Sequence, residues 1–246
     1  MNAINKSVLI TGCYSGIGRY LANALQKDGW QVIATDKIIE GDIITLDLND
    51  SESIKRAVKQ AEEITEGKLY ALINNAGIAY AGKIEDISRD DMRRQFEINV
   101  FGVHELTNQV MPIFKRNQIG RIVNISSING RVSFPYMGAY SASKFALEAL
   151  SDALRIELVG TGIKVSIIEP GTIETNFRKN AVCRNLVLKD KKGNSPNIIF
   201  EKVRHALESK NPKARYLAGN GYIVYLKQYL PAKLFDIVMR FAIDNK

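Results

Sequence analysis

Short apolar runs alternate with stretches of helical spacing along this chain, and that alternation predicts most of its architecture. Ser7-Val8-Leu9-Ile10-Thr11 reads as a first strand buried on both faces. A helix follows from about Gly16, with Ile17, Leu21, Ala24 and Leu25 on one side. Gln31 to Thr35, Asp42 to Leu46 and Leu69 to Asn74 read as the second, third and fourth strands. A long helical stretch runs from Ser88, its N-cap, to about Lys115. Arg121 to Ile125 is a fifth strand and Lys164 to Glu169 a sixth; between them a helix carries Tyr140, Leu147, Leu150, Leu154 and Leu158. Strands alternating with helices imply right-handed crossovers and a parallel sheet covered on both faces, a doubly wound α/β fold.

Two stretches depart from this pattern. Asp36-Lys37-Ile38-Ile39-Glu40-Gly41, between the second and third strands, is too short for a crossover helix. After the sixth strand the pattern loosens from Thr172 to about Asn197, and Lys189-Asp190-Lys191-Lys192-Gly193-Asn194-Ser195-Pro196 is strongly loop-like. An excursion at the ligand-binding edge is expected to form a lid or substrate wall, at about 172–212.

Composition narrows the classes. A chain of 246 residues with 46% hydrophobic content supports one soluble domain with one sizeable core. Cys13 and Cys183 lie far apart, and His104 and His205 complete the small set of soft ligands, so neither a disulfide framework nor a metal site is expected. The apolar run Val8-Leu9-Ile10 is too short for a membrane span, and the expected location is cytoplasmic. The net charge of +8 is spread along the chain without a basic block, so no nucleic-acid surface is expected. It is compatible with attraction to anionic substrates, cofactor phosphates or a lipid surface.

Doubly wound folds bind ligands at the carboxyl ends of their strands, which directs attention to the residues after each strand. After the first stands Thr11-Gly12-Cys13-Tyr14-Ser15-Gly16-Ile17-Gly18, opening a helix. Glycines there let the backbone approach a pyrophosphate, which the helix N-terminus stabilises. Asp36, after the second strand, is suited to accept hydrogen bonds from the adenosine ribose hydroxyls and to repel a 2′-phosphate, which favours NAD; adjacent Lys37 leaves NADP open. Asp47-Leu48, after the third, is a candidate for the adenine edge. Asn74-Asn75-Ala76-Gly77, after the fourth, combines loop-locking amides with small residues that leave room for a ribose. Ser126-Ser127 follows the fifth strand, and Pro170-Gly171-Thr172-Ile173-Glu174-Thr175, after the sixth, offers backbone and hydroxyl groups suited to a cofactor amide.

Tyr140 and Lys144 lie one helical turn apart, on one face. An ammonium beside a phenol favours the phenolate; lowering a tyrosine from its usual pKa of ~10 to ~7 needs about 4 kcal/mol. The constellation resembles the short-chain dehydrogenase/reductase family over about Lys6 to Thr175, and within it the 17β-hydroxysteroid-dehydrogenase-like reductases. Arg215-Tyr216-Leu217-Ala218-Gly219 and Leu230-Pro231-Ala232-Lys233-Leu234-Phe235 carry the second likeness.

The resemblance implies a single-domain Rossmann fold with a seven-stranded, mainly parallel sheet. It also implies a C-terminal helical segment at about 219–246. Tyr140 becomes the general acid/base, Lys144 lowers its pKa and holds the nicotinamide ribose, and Ser127 hydrogen-bonds the substrate oxygen. Asn99, in Ile98-Asn99-Val100, is implied to position a water that relays protons to Lys144. The implied reaction interconverts a secondary alcohol and a ketone or aldehyde. Ile128 to Met137 and the stretch after Thr175 are expected to wall the pocket, and Phe134, Tyr136, Met137 and Phe177 suggest an apolar substrate.

Small residues along the Tyr140 helix (Ala139, Ala142, Ala146, Ala149 and Ala153) suggest a homodimer or homotetramer. One rival reading is a dinucleotide-sensing regulator without catalysis. Another is a membrane-peripheral lipid carbonyl reductase, since Tyr222 to Ala242 interleaves apolar and aromatic residues with Lys227, Lys233 and Arg240. Packing of that segment over the cleft or against another subunit is the favoured alternative to membrane contact.

Overall fold

The computed structural model describes residues 6–38, 40–186, 188 and 192–244. Positions 39, 187 and 189–191, part of the two loops singled out above, and 245–246 of the C-terminal segment lie outside the described residues. The chain runs β1 (Ser7–Thr11), α1 (Gly16–Lys27), β2 (Gln31–Asp36), β3 (Ile44–Thr45), α2 (Ser51–Ile64) and β4 (Ala71–Asn74). It continues with β5 (Tyr80–Ala81), α3 (Arg89–Phe96), α4 (Gly102–Asn117), β6 (Gly120–Ile125), α5 (Gly138–Glu157) and β7 (Ile163–Pro170). The last elements are β8 (Val182–Cys183), α6 (Asn197–Glu208), β9 (Arg215–Ala218), α7 (Ile223–Tyr229) and α8 (Ala232–Asp244).

Seven strands form one parallel sheet in the order β3-β2-β1-β4-β6-β7-β9, the Rossmann arrangement expected. The strand order reverses between β1 and β4, which opens the crevice that receives a ligand. One face is sealed by a core that includes Ile54, Leu106, Phe114 and Leu147, from α2, α4 and α5. The other is sealed by Leu21, Leu25, Ile199, Val203 and Leu207, from α1 and α6. Central strands buried on both faces explain the unbroken apolar runs.

Several elements differ from the sequence reading. Helix α2 was not anticipated; its inner face is carried by Ile54, Ala57, Val58 and Ala61, two of them small, and Asp50 caps it by accepting from Glu52 N at 2.9 Å. The third strand shrinks to Ile44–Thr45, which pair in parallel with Thr35 and Asp36 although no helix among the described residues joins the two strands. The expected lid narrows as well, because α6 and the lead-in to β9 belong to the scaffold: Ile199, Phe200, Val203, Ala206 and Leu207 are all buried. Ser88 does cap a helix, in a reciprocal capping box with Asp91. That helix is interrupted at Glu97–Phe101 by a π-helical segment before α4 begins.

Candidate active site

The residues after β1, β2, β4, β6 and β7 converge on one cleft of about 1390 Å³. At its nucleotide end, Thr11 Oγ1 accepts from the backbone N–H groups of Asn75 (3.0 Å) and Ala76 (2.9 Å). Asn75 Nδ2 returns bonds to the carbonyls of Thr11 (2.8 Å) and Gly12 (3.2 Å), so the β1 and β4 ends are locked together. Gly12 sits at φ +75°, and a Cβ there would stand 2.9 Å from Ala76 Cα. A Cβ on buried Gly18 would collide with the Gly12 carbonyl. Only glycine lets α1 begin this close to β1. Ser15, the N-cap of α1, makes no side-chain capping bond. The first turn therefore keeps N–H groups for an anion.

Tyr14, Ser15, Gly16, Ile17, Asp36, Lys37, Asp47, Leu48, Asn75, Ala76 and Gly77 all line the cleft, as do Pro170, Gly171, Ile173 and Thr175. Thr11, Gly18 and Asn99 act from behind its surface. Asp36 accepts from Tyr14 N (2.9 Å) and Ile38 N (3.2 Å), so it braces two loops while facing the cleft. Asp47 closes a local turn by accepting from Asn49 N at 2.9 Å. Gly171 N donates to Ala218 O at 2.8 Å, which fixes the β7 end against β9.

At the junction of nucleotide and substrate ends stand Ser127, Tyr140 and Lys144. Ser127 Oγ accepts from Asn129 N at 3.1 Å, which orients it at the end of β6. Tyr140, in the first turn of α5, is buried, and burial pushes its phenol up to about 12 despite a hydrogen bond with Ser127. Lys144 is buried too; burial pushes its ammonium down to about 8, partly offset by Glu148. Lys144 Nζ donates to Ile125 O at 2.8 Å and lies 5.9 Å from the Tyr140 ring centroid.

In this arrangement burial dominates the Tyr140 phenol, and Lys144 is directed away from it. Desolvation of a buried phenolate outweighs a cation directed at a backbone carbonyl.

Asn99 occupies the middle of the π-helical segment. Its Oδ1 accepts from Ile78 N (2.9 Å), and its Nδ2 donates to Ile78 O (3.0 Å) and Ser143 Oγ (3.0 Å). The wide turn presents this side chain toward α5 and the β4 loop, a recurrent use of π segments at functional sites. Sequence reasoning missed Ile78 and Ser143 as its partners. The available signal was Ser143 on the same α5 turn as Tyr140, whose carbonyl its hydroxyl contacts at 2.8 Å.

The substrate end is walled by Ile128, Phe134, Tyr136, Met137, Phe177, Leu186 and Leu188, as the sequence suggested, and by Ile223 and Met239 from the C-terminal helices. Phe177 packs on Tyr140 at 5.5 Å between ring centroids. The loop that carries Phe177 is pinned at its far end, where Arg184 binds Asp91 through two hydrogen bonds of 3.0 and 2.6 Å. No short-range pattern predicts that clamp, which joins residues 93 positions apart.

Residues 6–185 match the short chain dehydrogenase family. The chain belongs to that family. It is 40% identical to the uncharacterized oxidoreductase YbbO of Escherichia coli (strain K12), over 96% of this chain and 95% of that protein. It is 34% identical to 17-beta-hydroxysteroid dehydrogenase type 6 of Bos taurus, over 96% and 88%. A short-chain dehydrogenase structure from Streptomyces avermitilis superimposes with a TM-score of 0.83 at 30% identity, over 98% of each chain.

The protein is thus an NAD(P)-dependent oxidoreductase, and the 17β-hydroxysteroid-dehydrogenase-like subgroup is compatible with these relatives. Its residues fit a dinucleotide. Beyond the Gly12–Gly18 cradle, a Cβ on Gly77 would stand 3.2 Å from Asn99 Oδ1 and 3.8 Å from Lys144 Nζ, so glycine keeps the space above the lysine open.

Proposed function

We propose that this protein interconverts a secondary alcohol and a ketone or aldehyde on an apolar small molecule. The observation that carries the reading is the meeting of Ser127, Tyr140 and Lys144 between a glycine-lined arm and an apolar arm of one cleft. A bound nicotinamide supplies or accepts the hydride. Tyr140 exchanges a proton with the substrate oxygen, and Ser127 holds that oxygen by a hydrogen bond. Lys144 orients the ribose and favours the phenolate once its ammonium is turned from Ile125 toward the cofactor. Asn99 orders the proton path to Lys144 through the Ile78 carbonyl it fixes. Asp36 favours NAD over NADP, because a 2′-phosphate would approach a carboxylate; Lys37 tempers the preference. The bovine relative is by name a hydroxysteroid dehydrogenase, in keeping with an apolar substrate.

A panel of ketones, aldehydes and secondary alcohols assayed with NAD(H) and NADP(H) tests the reading. Turnover of apolar members with an NADH preference is expected. Tight NADH binding with no turnover across the panel would instead support a dinucleotide-sensing regulator.

The outer faces of α7 and α8 favour a second, compatible reading in which the enzyme works at a membrane surface on lipid carbonyls. Tyr222, Tyr225, Leu226 and Tyr229 form one exposed stripe, and Leu234, Ile237 and Val238 another. No helix among the described residues is long and apolar enough to cross a membrane. Co-sedimentation with anionic liposomes separates surface contact from solution chemistry. Homo-oligomerisation through α5 is supported by the exposed Phe145, Leu150 and Ile156 beside its small residues, and light scattering reads it. Free cysteines at 13 and 183 suit a cytoplasmic location.

A further inference from the structure

Helix α3 and the π-helical segment that continues it carry three buried polar side chains at four-residue spacing: Asp91, Gln95 and Asn99. Asp91 holds Arg184, and Asn99 holds Ile78 and Ser143. Gln95, between them, is completely buried. Its Oε1 accepts from Tyr80 N at 2.8 Å, and its Nε2 donates to Ile78 O at 2.6 Å. Ile78 O thus receives two amide groups, the second from Asn99 at 3.0 Å.

The short stretch that Gln95 grips carries two of the three segments that wall the substrate arm. β5 pairs in parallel with β8: Val182 N donates to Ala79 O at 2.9 Å, and Arg184 N to Ala81 O at 2.7 Å. That ladder fixes the far part of the loop bearing Phe177. One residue after β5, Gly82 N donates to Tyr136 O at 2.9 Å, which fixes the segment from Phe134 to Met137. Tyr136 sits at φ +65°, a left-handed conformation that a bulky residue rarely adopts, and the bond to its carbonyl helps to hold it there. Glycine is required where the two segments cross, because a Cβ at position 82 would stand 2.9 Å from Arg184 O. Ala79, Ala81 and Gly82 therefore each make one backbone bond to a wall. The pyrophosphate cradle is braced separately, by Thr11 and Asn75.

We propose that residues 78–82 form a shared girder for these two wall segments, and that Gln95 is the positioning residue that sets it in place. An amide accepts from Tyr80 N and donates to Ile78 O at once, without placing a charge in the interior. Its bond to Tyr80 lies at the head of β5, where the walls attach. Losing it frees that end of the girder, while Asn99 still holds Ile78 at the other. Both wall segments then loosen together, and the substrate loses its fit while the cofactor keeps its cradle. The effect on turnover rests on the function proposed above; the coupling of the two segments does not.

Hydrogen exchange of the ligand-free protein reads that coupling without any activity. In the wild type the amides of Tyr80, Gly82, Val182 and Arg184 should open as one set, although they come from two distant stretches of chain. Gln95→Leu fills the site without a hydrogen-bonding group and should speed the whole set on the order of tenfold. Ile54→Val, in the core under α2, lowers overall stability without touching β5 and should leave the set as in the wild type. With a ketone that the wild type reduces, Gln95→Leu should raise KM about five- to tenfold, with kcat and NADH affinity changed by less than about threefold.

The proposal is overturned if Gln95→Leu speeds Tyr80 and Gly82 but not Val182 and Arg184, or if Ile54→Val speeds the set as much as Gln95→Leu does. It is overturned equally if NADH affinity falls as far as KM rises. Should Gln95→Leu fail to fold, the wild type and Ile54→Val still decide, since separate opening of the two stretches refutes a shared girder. Absence of turnover in the wild type, with the set opening as one, would count against the proposed function alone.

Discussion

The two arms of the cleft are built on different plans. The nucleotide arm is made of short contiguous motifs at consecutive strand ends, and its side chains mostly brace backbone: Thr11 to Asn75 and Ala76, Asn75 to Gly12, Asp36 to Tyr14 and Ile38. The substrate arm is assembled from three segments far apart in the chain, around Ile128–Met137, Asn176–Leu188 and Ile223–Met239, and is mostly apolar. A rigid backbone cradle suits a ligand whose phosphates and riboses do not vary. A wall of separable segments lets the substrate change without disturbing the cradle, as is common where loops ride on a fixed scaffold.

If the arms meet at one chemistry, the largest effect belongs to their junction. Tyr140→Phe should lower turnover on the order of 10³-fold or more while NADH affinity changes little, measured by single-turnover rates and fluorescence titration. Normal turnover in a folded Tyr140→Phe protein would sever the two arms functionally and sink the proposed mechanism.

A smaller loss should follow from overpacking the nucleotide arm alone. Gly18→Ala forces a Cβ into the Gly12 carbonyl and should weaken cofactor binding about 10- to 100-fold. Unchanged affinity would mean that the cradle tolerates far more movement than its contacts imply.

Asp36→Ser should shift the NADPH-to-NADH preference roughly tenfold toward NADPH, by removing a carboxylate from the site of a 2′-phosphate. Titration of both cofactors reads this directly, and a wild type that already prefers NADPH would refute the role given to Asp36.

The smallest effect is expected from the far end of the substrate arm. Arg184→Ala frees the loop that carries Phe177 and should raise KM a few-fold with kcat nearly kept, since Arg184 is partly exposed. The Arg184 hydrogen bonds hold the Asp91 carboxyl down to about 2, from 3.8. The clamp's contribution is thus present above 3.8 and lost as pH falls through about 2, so the loop should stay pinned throughout the neutral range. Equal effects of Arg184→Ala on cofactor and substrate affinity would erase the distinction between the arms.

What the sequence determined by itself was whatever depends on neighbours within a few residues. Buried parallel strands announce themselves as apolar runs, the Gly12–Gly18 spacing marks a tight strand-to-helix turn, and the Tyr140–Lys144 interval puts both on one helical face. Right-handed crossovers then narrow the topologies open to the sheet, and the strand order itself came from the structure. Helix α2 was less legible because alanines carry part of its buried face, and α6 because a loop-like stretch leads into it.

Tertiary structure alone decided the rest, because burial and long-range partners have no local signature. It buried Tyr140 and directed Lys144 at the Ile125 carbonyl. It spread the Asn99 helix into a π turn. It brought Glu148, Glu169 and Arg215 together across separations of dozens of residues. The charge state of a buried group depends on what the fold packs around it, and no residue spacing specifies that.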